Sequence, residues 1–206
     1  MLTLYYAPDT ISLATHILLE EVGAPYSTVP IDFKTTQQRS PAYLKINPKG
    51  RMPALVTDRG ILTETPAMLA YIAQTLPKAK LAPLDDPFDF AQVQSFNSYL
   101  CSTAHINHAH KMRGARWAAE ESSFADMKAM IPKTMGACFS LIEQKMFKGP
   151  WVMGEQYTIC DPYLYTLSTW LEGDSVDINA TPKIADHFKR MSDRPAVRKV
   201  MDAQKA

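Results

Sequence analysis

Ser12 and Thr65 each stand where the chain passes into a helical pattern. Ser12 lies at the start of a run in which Ile11, Leu13, Ala14, Ile17, Leu18, Leu19 and Val22 recur at helical spacing. A hydroxyl in a first helical turn, helped by the helix dipole, stabilises an anion. Thr65 follows Glu64 between a strand and a helix, which makes it an N-cap candidate. The free amides beyond it are suited to an anion. Tyr6 adds a second hydroxyl near Ser12, in a Tyr-x-Pro sequence, although a strand aromatic there also suits a core. His105, His108 and His110 lie in Ala-His-Ile-Asn-His-Ala-His. The first two share a helix face and His110 points elsewhere, with no His-Glu-x-x-His arrangement, so no metal site is expected. Cys101, Cys138 and Cys160 are odd in number and widely spaced. They read as reduced, small apolar residues rather than a disulfide framework or nucleophiles. Thr158-Ile159-Cys160-Asp161 fits a capping box, in which the Thr158 hydroxyl accepts from the Asp161 amide and the carboxylate reaches back.

The elements that position these residues change period along the chain. Leu2-Thr3-Leu4-Tyr5-Tyr6 reads as a strand closed by Pro8-Asp9, and the helix after it stops at Gly23. Tyr26 to Ile31 is a second strand, and a polar segment from Thr35 to Ile46 holds at most a short helix. Pro53 to Thr57 and a strand beginning at Ile61-Leu62 flank the turn Asp58-Arg59-Gly60, an antiparallel hairpin. A helix carrying Ala67, Leu69, Ala70, Ile72 and Ala73 ends near Pro77. The order is βαβαββα over residues 1–77, with the first two strands parallel. Residues 78–87, with two prolines and mixed charge, read as a linker. Residues 88–206 show no convincing strand. Long helices are expected over Phe90–Met112 and Phe124–Phe147, interrupted by Gly114 and Pro132, with short helices after Pro182 and Pro195. The fold class is therefore α/β plus all-α.

Composition narrows the function classes. In 206 residues, 22 basic and 21 acidic side chains leave a net charge of +1, which disfavours nucleic acid and anionic lipid as partners. No apolar run approaches the roughly 20 residues that span a bilayer. Met1 to Thr10 lack Lys and Arg and include Asp9, unlike a secretory signal or mitochondrial presequence, so a cytoplasmic protein is expected.

Two stretches resemble the glutathione-binding half of cytosolic glutathione S-transferases. They are Asn47-Pro48-Lys49-Gly50-Arg51-Met52-Pro53-Ala54-Leu55 and Leu62-Thr63-Glu64-Thr65-Pro66-Ala67-Met68-Leu69-Ala70-Tyr71-Ile72. The opening Tyr5-Tyr6-Ala7-Pro8 with Ser12-Leu13-Ala14-Thr15-His16 is similar to the bacterial beta class. So are Ala104-His105 and the capping box with its Tyr-Leu-Tyr-Thr-Leu run. The resemblance spans the chain. It implies a thioredoxin-like domain followed by a helical-bundle domain, a symmetric homodimer, and glutathione as co-substrate with no further cofactor.

The resemblance also implies roles. Met52, before a cis Pro53, would pair its backbone with the cysteinyl unit of glutathione as an added strand. Thr65 and the helix amides would receive the γ-glutamyl carboxylate, and Glu64 would face the γ-glutamyl ammonium. Lys34, with Lys49 and Arg51 as neighbouring candidates, would meet the glycine carboxylate. Ser12, preferred to Tyr6, would favour the thiolate. Ile11, His105 and Trp117 would line the electrophile pocket, with His105 donating near the thiol. Ile11 stands where the beta class has a cysteine, so a mixed disulfide with glutathione cannot form there. The expected reaction is thiolate attack on a small hydrophobic electrophile, a detoxification-type conjugation. The rivals are glutathione-dependent reduction of peroxides or disulfides, and a non-catalytic module binding glutathione or apolar ligands.

Overall fold

A computed structural model describes residues 1–205. Strands β1 (Leu2–Tyr6), β2 (Tyr26–Pro30), β3 (Ala54–Thr57) and β4 (Gly60–Thr63) alternate with helices α1 (Ser12–Val22), α2 (Pro41–Leu44) and α3 (Thr65–Thr75). Six helices follow: α4 (Pro87–Tyr99), α5 (His105–Arg113), α6 (Glu121–Leu141), α7 (Cys160–Ser168), α8 (Pro182–Ser192) and α9 (Pro195–Ala203). The chain forms two units, one holding Met1–Phe90 together with the residues from Met191 onward, the other Ala91–Arg190.

In the first unit the sheet runs β2-β1-β3-β4. β1 and β2 are parallel, while β3 is antiparallel to both β1 and β4. Strand alternation sends Tyr6 to one face and Tyr5 to the other. The Tyr6 ring lies 5.2 Å from that of His16 in α1, and the Tyr5 ring 5.9 Å from that of Tyr43 in α2. Helices therefore cover both faces. Leu4, Leu55, Ile17, Leu18, Met68, Leu69 and Ile72 form the buried core. Gly23 ends α1 in the left-handed conformation (φ 64°), its N–H returning to the Glu20 carbonyl.

The last helix departs from the expected division, which placed 88–206 in a single domain. Helix α9 packs on α1. Arg194 grips Glu21 with two bonds of 2.5 and 2.8 Å. Lys199 pairs with Glu20 at 2.6 Å, and the Gln204 amide lies 3.1 Å from His16 Nδ1. Covered by α3 and α9, α1 is buried at every position from Ser12 to Leu19, which its apolar spacing alone does not predict.

In the second unit α5 packs on α6. A π turn over Leu100–Ala104 lies between α4 and α5, and a second over Ile142–Met146 follows α6. Gly114 ends α5, and a Cβ there would meet the Phe124 ring at 2.7 Å. Pro132, by contrast, does not interrupt α6. It sits exposed inside the helix, where only one backbone bond is lost. The capping box forms with one change. The Thr158 hydroxyl accepts from the Cys160 N–H at 3.3 Å rather than from Asp161, because α7 starts at Cys160. The Asp161 carboxylate reaches back to the Thr158 N–H at 2.6 Å, as expected.

Candidate functional site

Strand register gathers the candidate residues of the first unit. Tyr5 pairs with Ala54, and Ala54 with Thr63. The chain after β1, the chain before β3 and the chain after β4 therefore leave the sheet side by side. Tyr6 is the register partner of Pro30, so the segment carrying Lys34 leaves at the same end.

The first of these segments carries Ser12. Its side chain is 0% exposed. Its Oγ donates to the Ala7 carbonyl at 2.9 Å and accepts from the Ala7 N–H at 3.2 Å. Thr10, half-buried, brings a second hydroxyl to within 2.7 Å of Ser12 Oγ. Tyr6 packs its ring against His16 of α1 and bonds to neither hydroxyl among the described residues. Ile11, between the two hydroxyls in sequence, is buried.

The second segment is shaped by a buried clamp. Asn47 Nδ2 and the Tyr43 hydroxyl both donate to the Arg51 carbonyl at 2.7 Å. The clamp fixes the chain just before Met52-Pro53, whose peptide bond is cis, as the resemblance implies. Among the described residues the Met52 N–H and carbonyl have no hydrogen-bond partner. They offer an open backbone edge for a strand-like ligand.

In the third segment Glu64, not Thr65, is the capping residue of α3. It sits at φ 72° and makes no side-chain cap. A non-glycine residue at positive φ is uncommon and clusters at ligand-binding sites. Thr65 is the first helical residue and only 4% exposed. Its hydroxyl has no partner among the described residues and is not a buried orphan, so it opens outward. With no cap and Pro66 next in line, the α3 N-terminus keeps free N–H donors. The Glu64 carboxylate is engaged by Lys49 Nζ at 2.5 Å, and that ammonium also donates to Thr63 Oγ1 at 2.7 Å. The pair is solvent-exposed on both sides and hence weak, ready to rearrange around a ligand. Lys34 and Arg51 are exposed.

In the second unit His105 lies on α5 with its ring 5.2 Å from that of Trp170. His108 stacks on the same indole at 4.1 Å, and its Nδ1 meets the buried Asp174 carboxylate at 2.6 Å. Lys111 Nζ reaches the other Asp174 oxygen at 3.1 Å. His108 is thus anchored through both its ring face and its Nδ1. Trp117, 43% exposed, meets His110 edge-on at 4.5 Å instead of joining His105 and Trp170. Among the described residues no group of three or more His, Cys, Asp or Glu is placed to hold a metal. Burial, followed by the neighbouring Asp161 charge, pushes the Cys160 thiol up, which suits a core residue and not a nucleophile.

Sequence reasoning missed Thr10, the Asn47–Tyr43 clamp and the role of Trp170 as the platform for two histidines. Asn47, polar in a motif with no obvious partner, was the one available signal.

Residues 1–74 match the family model described as the glutathione S-transferase N-terminal domain. The glutathione transferase homolog from Sulfitobacter, solved with bound glutathione, is 50% identical, covers 98% of each chain and superposes with a TM-score of 0.95. A bacterial beta class glutathione S-transferase from Sphingomonas chungbukensis is 28% identical over 98% of each chain, with a TM-score of 0.85. Glutathione S-transferase GstA of Escherichia coli O157:H7 is 28% identical over 204 residues, 98% of either chain. No helix among the described residues is long and apolar enough to cross a membrane. Fold, sheet-end geometry and similarity along the chain agree: the protein belongs to the glutathione S-transferase family.

Proposed function

We propose that this chain is a glutathione transferase that binds glutathione at the end of its sheet and presents the thiolate to a small hydrophobic electrophile. The observation that carries this reading is the convergence of an unpaired Met52 backbone, an uncapped α3 N-terminus with an outward Thr65 hydroxyl, and the Ser12 hydroxyl system at one sheet end. Each matches one part of the ligand: the cysteinyl backbone, the γ-glutamyl carboxylate and the thiol. Glu64, released from Lys49, faces the γ-glutamyl ammonium. The freed Lys49, with Lys34 and Arg51, supplies cations for the glycine carboxylate. Ser12, rather than Tyr6, organises the thiolate end. On the family resemblance His105 is assigned to the electrophile, with the Trp170 ring beside it. The working species is read as a cytoplasmic homodimer needing no cofactor beyond glutathione, on the strength of the family resemblance. Ile11 leaves no thiol for a mixed disulfide at the site, which supports conjugation over disulfide reduction.

Ionisation alone supplies a limited share of the rate. A free thiol of pKa ~8.5 is roughly 3% thiolate at pH 7. Lowering its pKa by about two units makes most of it thiolate, but the accompanying loss of nucleophilicity cancels some six- to tenfold. Holding thiolate and electrophile together must supply the rest.

Titration of the protein with glutathione at neutral pH is expected to give a saturable ultraviolet thiolate signal. Ser12→Ala should lower that signal and Tyr6→Phe should leave it. Thr65→Val should weaken glutathione binding about tenfold or more by removing a hydrogen bond to a charged group. Unchanged binding in Thr65→Val would remove Thr65 from the site.

A further inference from the structure

The two hydroxyls at the head of α1 have more contacts than protons. The Ala7 carbonyl is reached by Ser12 Oγ at 2.9 Å and by Thr10 Oγ1 at 2.8 Å. The hydroxyls also meet each other at 2.7 Å. Two further contacts bring their own protons, from the Ala7 N–H to Ser12 Oγ at 3.2 Å and from the Ser12 N–H to Thr10 Oγ1 at 3.3 Å. That leaves three contacts for the two hydroxyl protons, since each hydroxyl donates only once. One proton suffices to hold the Ala7 carbonyl. The other can turn to a ligand at the loss of one local bond.

Exposure decides which hydroxyl turns. Ser12 is 0% exposed and bonded to both the N–H and the carbonyl of Ala7. A ligand cannot touch it without displacing the loop. Thr10 is half-buried, with surface open to solvent. Asp9 and Tyr6 are the ionisable neighbours in this loop, and among the described residues neither bonds to either hydroxyl.

We propose that Thr10 donates the hydrogen bond that stabilises the glutathione thiolate, and that Ser12 is a positioning residue that holds the Ala7 loop beneath it. The assignment rests on the reading that glutathione binds at this sheet end. Ser12 then donates to the Ala7 carbonyl and Thr10 turns its proton to sulfur. The thiol proton passes to solvent, the sulfur keeps its electron pair, and no covalent bond to the protein forms. Sequence gave Thr10 no role, because only the local geometry shows that Ser12 is enclosed.

The test compares Thr10→Val, Thr10→Ser and Ser12→Ala in the full chain. One readout is the pKa of bound glutathione, followed by thiolate absorbance against pH at saturation. The other is calorimetric affinity for S-methylglutathione, which has no thiol proton. In Thr10→Val the bound thiol pKa should rise by about one to two units, the scale of one hydrogen bond to an anion. S-methylglutathione affinity should stay at the wild-type value, and Thr10→Ser should restore the wild-type pKa. Ser12→Ala should disturb both readouts, because the loop loses its anchor. A wild-type thiol pKa in Thr10→Val, with a raised one in Ser12→Ala, would overturn the proposal by making Ser12 the contact. Wild-type protein that binds S-methylglutathione but never shows bound thiolate would overturn thiol activation itself. Protein that binds neither ligand would overturn the glutathione reading.

Discussion

Asp161→Ala should lower the unfolding free energy by about 3–5 kcal/mol, the range expected when one partner of a buried charged cluster is removed. The Asp161 side chain is fully buried. One carboxylate oxygen accepts from the Val152 N–H at 2.9 Å and faces His187 Nε2 at 3.0 Å. The other accepts from the Thr158 N–H at 2.6 Å and the Thr158 hydroxyl at 3.2 Å. Alanine would strand two backbone donors, each costing about 1–3 kcal/mol when buried unpaired. It would also leave His187 with neither ring nitrogen bonded, since Nδ1 already lacks a partner. The carboxylate therefore ties the Val152 segment, the start of α7 and α8 together, well beyond the capping of one helix. Asp161→Asn, which keeps the shape but turns one acceptor into a donor, should fall between. Urea unfolding followed by tryptophan fluorescence measures both. An Asp161→Ala unfolding free energy within about 1 kcal/mol of wild type would show that the cluster does not hold the unit.

The second large effect is a stability that falls with acid because of His16. Burial lowers the His16 pKa from 6.5 to about 4, partly opposed by the Glu20 carboxylate. The folded protein holds this imidazole neutral against Tyr6 and Tyr26. Below pH 6.5 the unfolded chain takes up the proton first, so folding is progressively disfavoured until the folded form also protonates near pH 4. The contribution is complete above pH 6.5 and is lost between 6.5 and about 4. Its size is about 3 kcal/mol, from 1.36 kcal/mol per unit. His16→Phe keeps the ring contacts and cannot protonate. Its stability should fall less steeply than wild type over that window, so that the difference between the two curves isolates His16. Parallel curves would mean that His16 titrates as an ordinary histidine.

Much of the fold is legible in short stretches of sequence. The spacing from Ile11 to Val22 and the stop at Gly23 define α1, and Asp58-Arg59-Gly60 between two apolar runs defines the hairpin. These signals are local because helix and turn hydrogen bonds join residues a few positions apart. The site was legible in part for the same reason. Met52-Pro53 and Glu64-Thr65 lie in ordered motifs beside their strands, and strand register then brings them together.

The order of elements, the family resemblance and the segments that carry the ligand-facing groups are all written in short stretches of residues. Tertiary structure decided the rest, wherever partners are far apart or exposure matters. Arg194 meets Glu21 across 173 positions, which moves the last helix into the first unit. His108 meets Asp174 across 66, which anchors a histidine whose partner no nearby residue reveals. Lys49 occupies the Glu64 carboxylate from across the β3–β4 hairpin. The choice between Ser12 and Thr10 turns on which hydroxyl the fold encloses, and burial is a property of how the chain closes, not of residue type. Charge pairing and burial depend on distances in space, and no local pattern of side chains records those distances.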